Sequence, residues 1–326
     1  MRRRDLLLSA LVFPLLSTPV LAQAPERVWR VGLLTPIRPV VDAFRQFTLP
    51  ELARLGFVEG RNLALEFRSA DGDYERLPAL ARELVEAKPD VIIAAASTTA
   101  IRAARGATST VPIVMAFAGE DPIAAGWVQS YARPGGNVTG LVMLSPELEG
   151  KRLQILHEAF PLRRRIAVLF LPRARNSPNE RSIQAAAERI GLEILPFYAA
   201  GPEEYETAFA AIRSANAEAI AVMSNPVFLA DAARLSRLAL EVGLPMICEF
   251  REMTEKGCLI GYGPKISDLR RRTAVFVARI LQGEPAGELP LEEPTAFELT
   301  INLKTAKALG IEIPVSLLAR ADEVFE

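Results

Sequence analysis

From Val28 onward the chain alternates short apolar runs with stretches of helical periodicity, and no other feature constrains its fold as much. Buried parallel strands read as continuous apolar runs, and a return to a parallel neighbour needs a crossover, usually a helix. Val31 to Leu34 form a first strand ending at Thr35-Pro36, and a helical stretch follows from about Val40 to Leu55, with Pro50 expected to break or restart it. Leu63, Leu65 and Phe67 alternate with Ala64, Glu66 and Arg68, which predicts a second strand with one face less buried than the other. Leu77, Leu80, Ala81, Leu84 and Val85 share one helical face, and Val91 to Ala95 and Ile113 to Phe117 read as buried strands with a helix between them. The glycine-rich turn from Arg133 to Asn137 closes this first series.

A second series begins after the strand Val138 to Met143. Ser145 followed by Pro146 predicts a capped helix start, with the helix running to about Phe160. Strands at Ile166 to Phe170, Ile194 to Phe197, Ala219 to Met223 and Met246 to Glu249 alternate with helices near Asn179 to Ile190, Glu203 to Ala215 and Phe228 to Val242. Leu259 to Tyr262, a helix from Ser267 to Gln282 and a strand from Phe297 to Ile301 are too few elements for a third domain, so they complete the first two. The expected fold class is therefore α/β: two Rossmann-like doubly wound lobes joined by multiple hinge crossings. Residues 25–143 with about 264–288 are assigned to the N-terminal lobe, and 144–263 with about 289–326 to the C-terminal lobe.

Residues 1–24, MRRRDLLLSALVFPLLSTPVLAQA, read as a signal peptide. Arg2 to Arg4 are the basic start, Leu6 to Leu16 the apolar run, and Val20-Leu21-Ala22 and Ala22-Gln23-Ala24 both offer small-residue cleavage sites. The run is too short to span a bilayer, and an uncleaved anchor helix is the alternative. Arg3-Arg4-Asp5-Leu6-Leu7 resembles a twin-arginine signal, which would carry the folded protein to the periplasm. No cysteine stands directly after either cleavage site, which argues against a lipid anchor. The formal charge is −1; the signal holds three Arg and one Asp, a net of +2, so about −3 remains. No basic excess points to nucleic acid, and no later apolar stretch is long enough to cross a membrane.

Cys248 and Cys258 are the only cysteines and His157 the only histidine, so no zinc-like spacing exists and neither a metal nor a cofactor is expected. The two cysteines are read either as a disulfide or as separate buried thiols. The first strand lacks the glycine spacing of a dinucleotide site, and neither a GxSxG elbow, a P-loop nor HExxH occurs. His157, beside Glu158 on a charged helix, reads as a surface residue. No catalytic residue, and no enzyme, is expected.

The segments Phe57 to Leu63 (FVEGRNL), Ala132 to Leu141 (ARPGGNVTGL), Ser145 to Leu156 (SPELEGKRLQIL) and Pro294 to Pro314 (PTAFELTINLKTAKALGIEIP) resemble the substrate-binding proteins of ABC transporters, in the branch that includes tryptophan- and tyrosine-binding members. The ending Leu317 to Glu326 fits as well. The resemblance implies a type I periplasmic binding fold with three inter-lobe crossings, a small-molecule ligand in the cleft and an ABC permease as partner. Ala43 to Gly56 is longer than the corresponding family loop and carries a proline, which separates this chain from the pattern near the cleft. The expected function is capture of a small amino-acid-like or aromatic organic acid by a periplasmic monomer, for delivery to the transporter. A ligand-sensing module for a membrane receptor is the alternative.

Ligands of open parallel sheets sit beyond the carboxyl ends of the strands. That rule selects Thr35 after the first strand and Ser97, Thr98 and Thr99 after the third, where free helix N–H groups and hydroxyls suit a carboxylate. It adds Phe117, to stack on a flat ligand, and Asp121, to pair with an ammonium group or merely cap a helix. From the second lobe it selects Asn176, Ser177, Ser224, Asn225 and Glu249, with Tyr262 near the hinge. Short polar side chains cap helices as readily as they bind ligands, so both readings stay open for each.

Overall fold

The structure is a computed structural model that describes residues 27–143 and 145–326, so the expected signal peptide lies outside the described residues. The Ser145 side chain, expected as a helix cap, lies outside them too. The first sheet has the order β2-β1-β3-β4-β5 and every pairing in it is parallel. Its strands are β1 (Trp29–Thr35), β2 (Leu63–Ser69), β3 (Val91–Ala95), β4 (Ile113–Ala118) and β5 (Val138–Val142). The second comprises β6 (Arg165–Phe170), β7 (Glu193–Tyr198), β8 (Ala219–Val222), β9 (Met246–Cys248), β10 (Ile260–Pro264), β11 (Phe297–Asn302) and β12 (Glu323–Phe325). Its order is β12-β11-β10-β9-β8-β6-β7, with an antiparallel β10–β11 pair.

Both sheets are covered on two faces, which is why their central strands are apolar throughout rather than alternating. Phe276, Val277 and Leu281 of helix Ile266–Leu281 pack on Val31, Leu33 and Ile93, while Leu80, Leu84 and Ile101 cover Ile92 and Met115 from the other side. In the second sheet Tyr205, Phe209 and Leu235 cover one face, and Leu153, Leu156 and Ile183 the other. Each such side chain contributes about 1.5 to 3 kcal/mol through burial.

The chain passes between the sheets three times: from β5 to helix Ser145–Ala159, from β10 to helix Ile266–Leu281, and from the segment beside β5 back to β11. The second passage is tightly built. A Cβ on Gly263 would stand 2.3 Å from the Glu249 carbonyl oxygen, so only glycine lets β10 lie this close to the end of β9.

Three local expectations change, and of the two readings of the cysteines the structure takes the second. Pro50 does not break the helical stretch: Pro39–Ala43 and Leu49–Arg54 are α-helical and Phe44–Thr48 between them is π-helical. The Leu49 N–H bonds the Phe44 carbonyl five residues back, so the ladder is already shifted where the proline lacks its donor. β2 shows no alternation, because only Leu63 is buried and the rest is half-buried on an edge strand. The helix expected from Phe228 to Val242 is two, Pro226–Ala230 and Ala232–Glu241, divided at Asp231. The cysteines are free buried thiols whose Sγ atoms each donate to the Ile260 carbonyl at 3.3 Å. Helix Arg251–Glu255 and β12 have no counterpart in the sequence reading.

Candidate functional site

A cleft of about 1770 Å³ separates the carboxyl edges of the two sheets and is lined from both sides. β3 is followed by Ala96, whose φ of 57° turns the chain sharply into helix Thr98–Ala107. Ser97 caps that helix, its Oγ accepting the Thr99 N–H at 3.1 Å. The hydroxyl proton of Ser97 and the first-turn N–H groups other than that of Thr99 are left to face the cleft. At the end of β4, Phe117 adopts a φ of 71° beside a register shift in the β4–β5 pairing, which brings it to the cleft wall.

Eight of the expected residues line the cleft: Ser97, Thr98, Thr99, Phe117, Asp121, Ser177, Ser224 and Asn225. Several of them also cap: Ser177 Oγ accepts the Glu180 N–H at 3.1 Å and Asn225 Oδ1 the Val227 N–H at 2.9 Å. Asp121 caps no helix, since a turn follows it, and its Oδ1 accepts the Ile123 N–H of that turn at 2.9 Å. Capping and lining therefore coincide, because a helix that starts at a sheet's carboxyl edge has its first turn at the cleft. Replacing Ser97 with alanine is expected to lower stability by about 1 kcal/mol through loss of the cap. Urea unfolding checks this, and an unchanged midpoint would count against the cap.

The other four expected residues lie elsewhere. Thr35 is fully buried and its Oγ1 donates to the Ile37 carbonyl at 3.2 Å, tying the turn rather than facing the cleft. Asn176, at a φ of 59°, turns the loop outward, where its N–H donates to Glu180 Oε2 at 2.6 Å. Tyr262 stacks on Phe297 at 6.2 Å between centroids, across the antiparallel β10–β11 pair. Glu249 is buried behind the cleft wall.

Glu249 belongs to a buried ionic cluster at the second crossing. Arg152 is 1% exposed and its Nε donates to Glu149 Oε2 at 3.0 Å, while Nη1 donates to the Tyr262 carbonyl of β10 at 3.0 Å. Glu149 Oε1 also accepts the Ser224 N–H at 3.1 Å, which links the cluster to the cleft floor. Burial lowers the Arg152 pKa, but the Glu149 and Glu249 carboxylates more than compensate and hold the guanidinium charged. Neither carboxylate oxygen of Glu249 has a hydrogen-bond partner of good geometry, and burial pushes its pKa up to about 7 against the pull of Arg152.

Sequence reasoning missed the side chains that span the cleft. Tyr74, beyond the end of β2, lies under the guanidinium of Arg173, which follows β6; the group is 3.6 Å from the ring centroid. Arg173 Nη1 also donates to Thr99 Oγ1 at 3.0 Å. The carboxyl-end rule, extended to β2, would have found Tyr74. Phe47 and Arg270 also line the cleft, with the guanidinium 5.3 Å from the ring centroid. Phe47 lies in the π-helical turn of the segment that departs from the family pattern.

Two doubly wound lobes, three crossings and a cleft lined from both sides define a type I periplasmic binding fold. The sequence matches the ABC transporter substrate binding protein family over residues 34–325, and the chain belongs to that family. Its members capture a small molecule between the lobes for an ABC transporter, and this is the function of the chain. A tyrosine-binding protein of Clostridioides difficile (strain R20291) is 26% identical over 276 residues, 84% of this chain and 78% of the relative. A protein from Streptococcus pneumonia solved in complex with L-Trp is 25% identical, covers 91% of this chain and 100% of its own, and superposes with a TM-score of 0.80. A ligand-free, open substrate-binding protein with adhesive properties from Clostridium difficile is also 25% identical, over 91% of this chain and 99% of its own, but its TM-score is 0.63. Among the described residues no helix is long and apolar enough to cross a membrane.

Proposed function

We propose that this protein binds an aromatic amino acid or a related aromatic carboxylate outside the cytoplasm, as a monomer, and delivers it unchanged to its permease. The observation that carries the reading is the meeting of both lobes at one point of the cleft, where Arg173 lies over Tyr74 and bonds Thr99. A ligand carboxylate at the first turn of helix Thr98–Ala107 gains the helix N–H groups and the hydroxyls of Ser97, Thr98 and Thr99. Phe117 and Phe250 supply apolar wall for an aromatic body. The names of the relatives support the same ligand class, since one binds tyrosine and another holds L-Trp.

The cycle needs no chemical step. Contacts made with both lobes favour the closed arrangement over the open one by the ligand's differential affinity, and the closed surface is what the permease recognises. The three crossings act as hinge strands. Solution scattering on ligand-stripped protein is expected to show a smaller radius of gyration at saturating L-tyrosine or L-tryptophan, with a molecular mass of one chain. A profile that stays the same while calorimetry reports saturation would rule out hinge closure. Mass spectrometry of the molecule released on denaturation is expected to return the solute intact, and a converted product would rule out simple capture.

A further inference from the structure

The arginines that line the cleft fall into two groups. Arg102 pairs with Glu120, Arg251 with Glu323 and Glu255, and Arg271 with Asp268. Arg173 and Arg270 have no carboxylate within ion-pair distance among the described residues. The two differ in what surrounds them. Burial lowers the pKa of both, but Arg270 feels the Glu252 carboxylate from the opposite lobe, whereas around Arg173 the opposing influence is the Tyr74 phenol. Arginine does not give up its proton under ordinary conditions, so Arg173 presents a permanent positive charge to the cleft without a counter-ion.

Its geometry is that of a held donor group. Stacking on Tyr74 at 3.6 Å fixes the plane of the guanidinium, and the bond to Thr99 Oγ1 uses one N–H. The remaining N–H groups of the fork have no protein acceptor among the described residues. Thr99 stands on the first turn of helix Thr98–Ala107, so the cation of one lobe and the free N–H groups of the other converge.

We propose that Arg173 is the specificity-determining residue of the cleft: its guanidinium pairs with the carboxylate of the solute at the Thr98–Thr99 turn, so the anion itself ties the lobes together. The inference rests on the reading of the ligand as an aromatic acid. A neutral analogue of the same shape loses the ion pair and also leaves the guanidinium desolvated and unpaired, and a site built this way rejects the analogue strongly. A bidentate, charge-assisted pair of this kind is also particular to arginine, because lysine offers a point charge rather than a planar fork.

The test is calorimetric titration of ligand-stripped protein with L-tyrosine, L-tryptophan and their primary amides, for the wild type, Arg173→Ala, Arg173→Lys and Arg270→Ala. The wild type is expected to bind at least one acid about tenfold or more tightly than its amide. Arg173→Ala is expected to weaken the acid by about ten- to a hundredfold and to bring the acid-to-amide ratio close to one. Arg173→Lys, which keeps the charge on an exposed side chain, is expected to retain part of the ratio. Equal weakening of acid and amide in Arg173→Ala would make the residue a tie between lobes and overturn the proposal. So would a ratio that collapses in Arg270→Ala and survives in Arg173→Ala. A wild type that binds neither acids nor amides overturns the aromatic-acid reading and this inference with it, whereas acid binding that Arg173→Ala leaves intact overturns the inference alone.

Discussion

Replacing Arg152 with methionine is expected to destabilise the fold by about 3 to 5 kcal/mol, the usual loss when one partner of a buried ion pair is removed. Arg152 and Glu149 are 2% and 1% exposed at their side chains, with Nη2 2.5 Å from Oε1. Without the guanidinium the Glu149 carboxylate keeps the Ser224 N–H but loses its counter-charge in a site that water does not reach. Methionine fills part of the volume, so the loss is mainly electrostatic rather than that of a cavity. A second consequence follows from place: Arg152 Nη1 holds the Tyr262 carbonyl, two residues before β10 ends and the chain crosses to the other lobe. Chemical denaturation at neutral pH measures the effect. A loss under about 1 kcal/mol would mean that the pair is hydrated and that the crossing is held by other contacts.

Glu249→Gln is expected to act in the opposite direction, stabilising the protein by about 2 to 3 kcal/mol above neutral pH and leaving it nearly unchanged near pH 4. Burial is the main cause that raises the Glu249 pKa from 4.5 to about 7, with Glu149 adding to it and Arg152 and Ser224 opposing. Between those two values the folded state holds one more proton than the unfolded state, so stability falls as pH rises through the window. The stability that the protonated carboxyl confers is fully present below pH 4.5 and is lost as pH passes about 7. Glutamine cannot ionise, so the variant lacks this component. The quantity to measure is the difference in unfolding free energy between variant and wild type at pH 4.5, 6 and 8, which cancels the titration of all other groups. A difference that does not grow with pH would show that Glu249 titrates as an ordinary carboxylate. The experiment also bears on function, since Glu249 directly precedes Phe250 of the cleft wall and faces the cluster that anchors β10.

Most of the architecture was legible because it depends on local pattern. Fully covered parallel strands have to be apolar along their whole length, so Val91–Ala95 and Ala219–Val222 stood out without a partner in view. The exceptions were elements whose environment is set from a distance. β2 is an edge strand and does not alternate, and the π-helical turn at Phe44–Thr48 absorbs Pro50 by a shift in hydrogen bonding that no propensity encodes. β12 is three half-buried residues long, too short to show a period.

The sequence by itself determined two layered α/β lobes and the strand ends at which a ligand can sit, since both follow from the order of apolar runs, turns and caps along the chain, while the family showed only in the resemblance of segments such as Ala132 to Leu141. Ser97, Ser177 and Asn225 were found because a cap is a local event at those same strand ends. Tertiary structure decided which polar groups reach the cleft and which are spent elsewhere. Thr35 obeys the same rule as Ser97, yet its hydroxyl turns back onto the Ile37 carbonyl inside the core. Arg173 and Thr99 are 74 positions apart and meet only because the two lobes face each other across the cleft. The charge state of Glu249 was likewise out of reach of the sequence: desolvation and the field of Arg152 and Glu149 set it, and both depend on the packing of helix Ser145–Ala159 against β9 and β10. Periodicity acts over neighbours a few residues apart, whereas burial and electrostatic coupling act through space, and the binding chemistry of this protein belongs to the second kind.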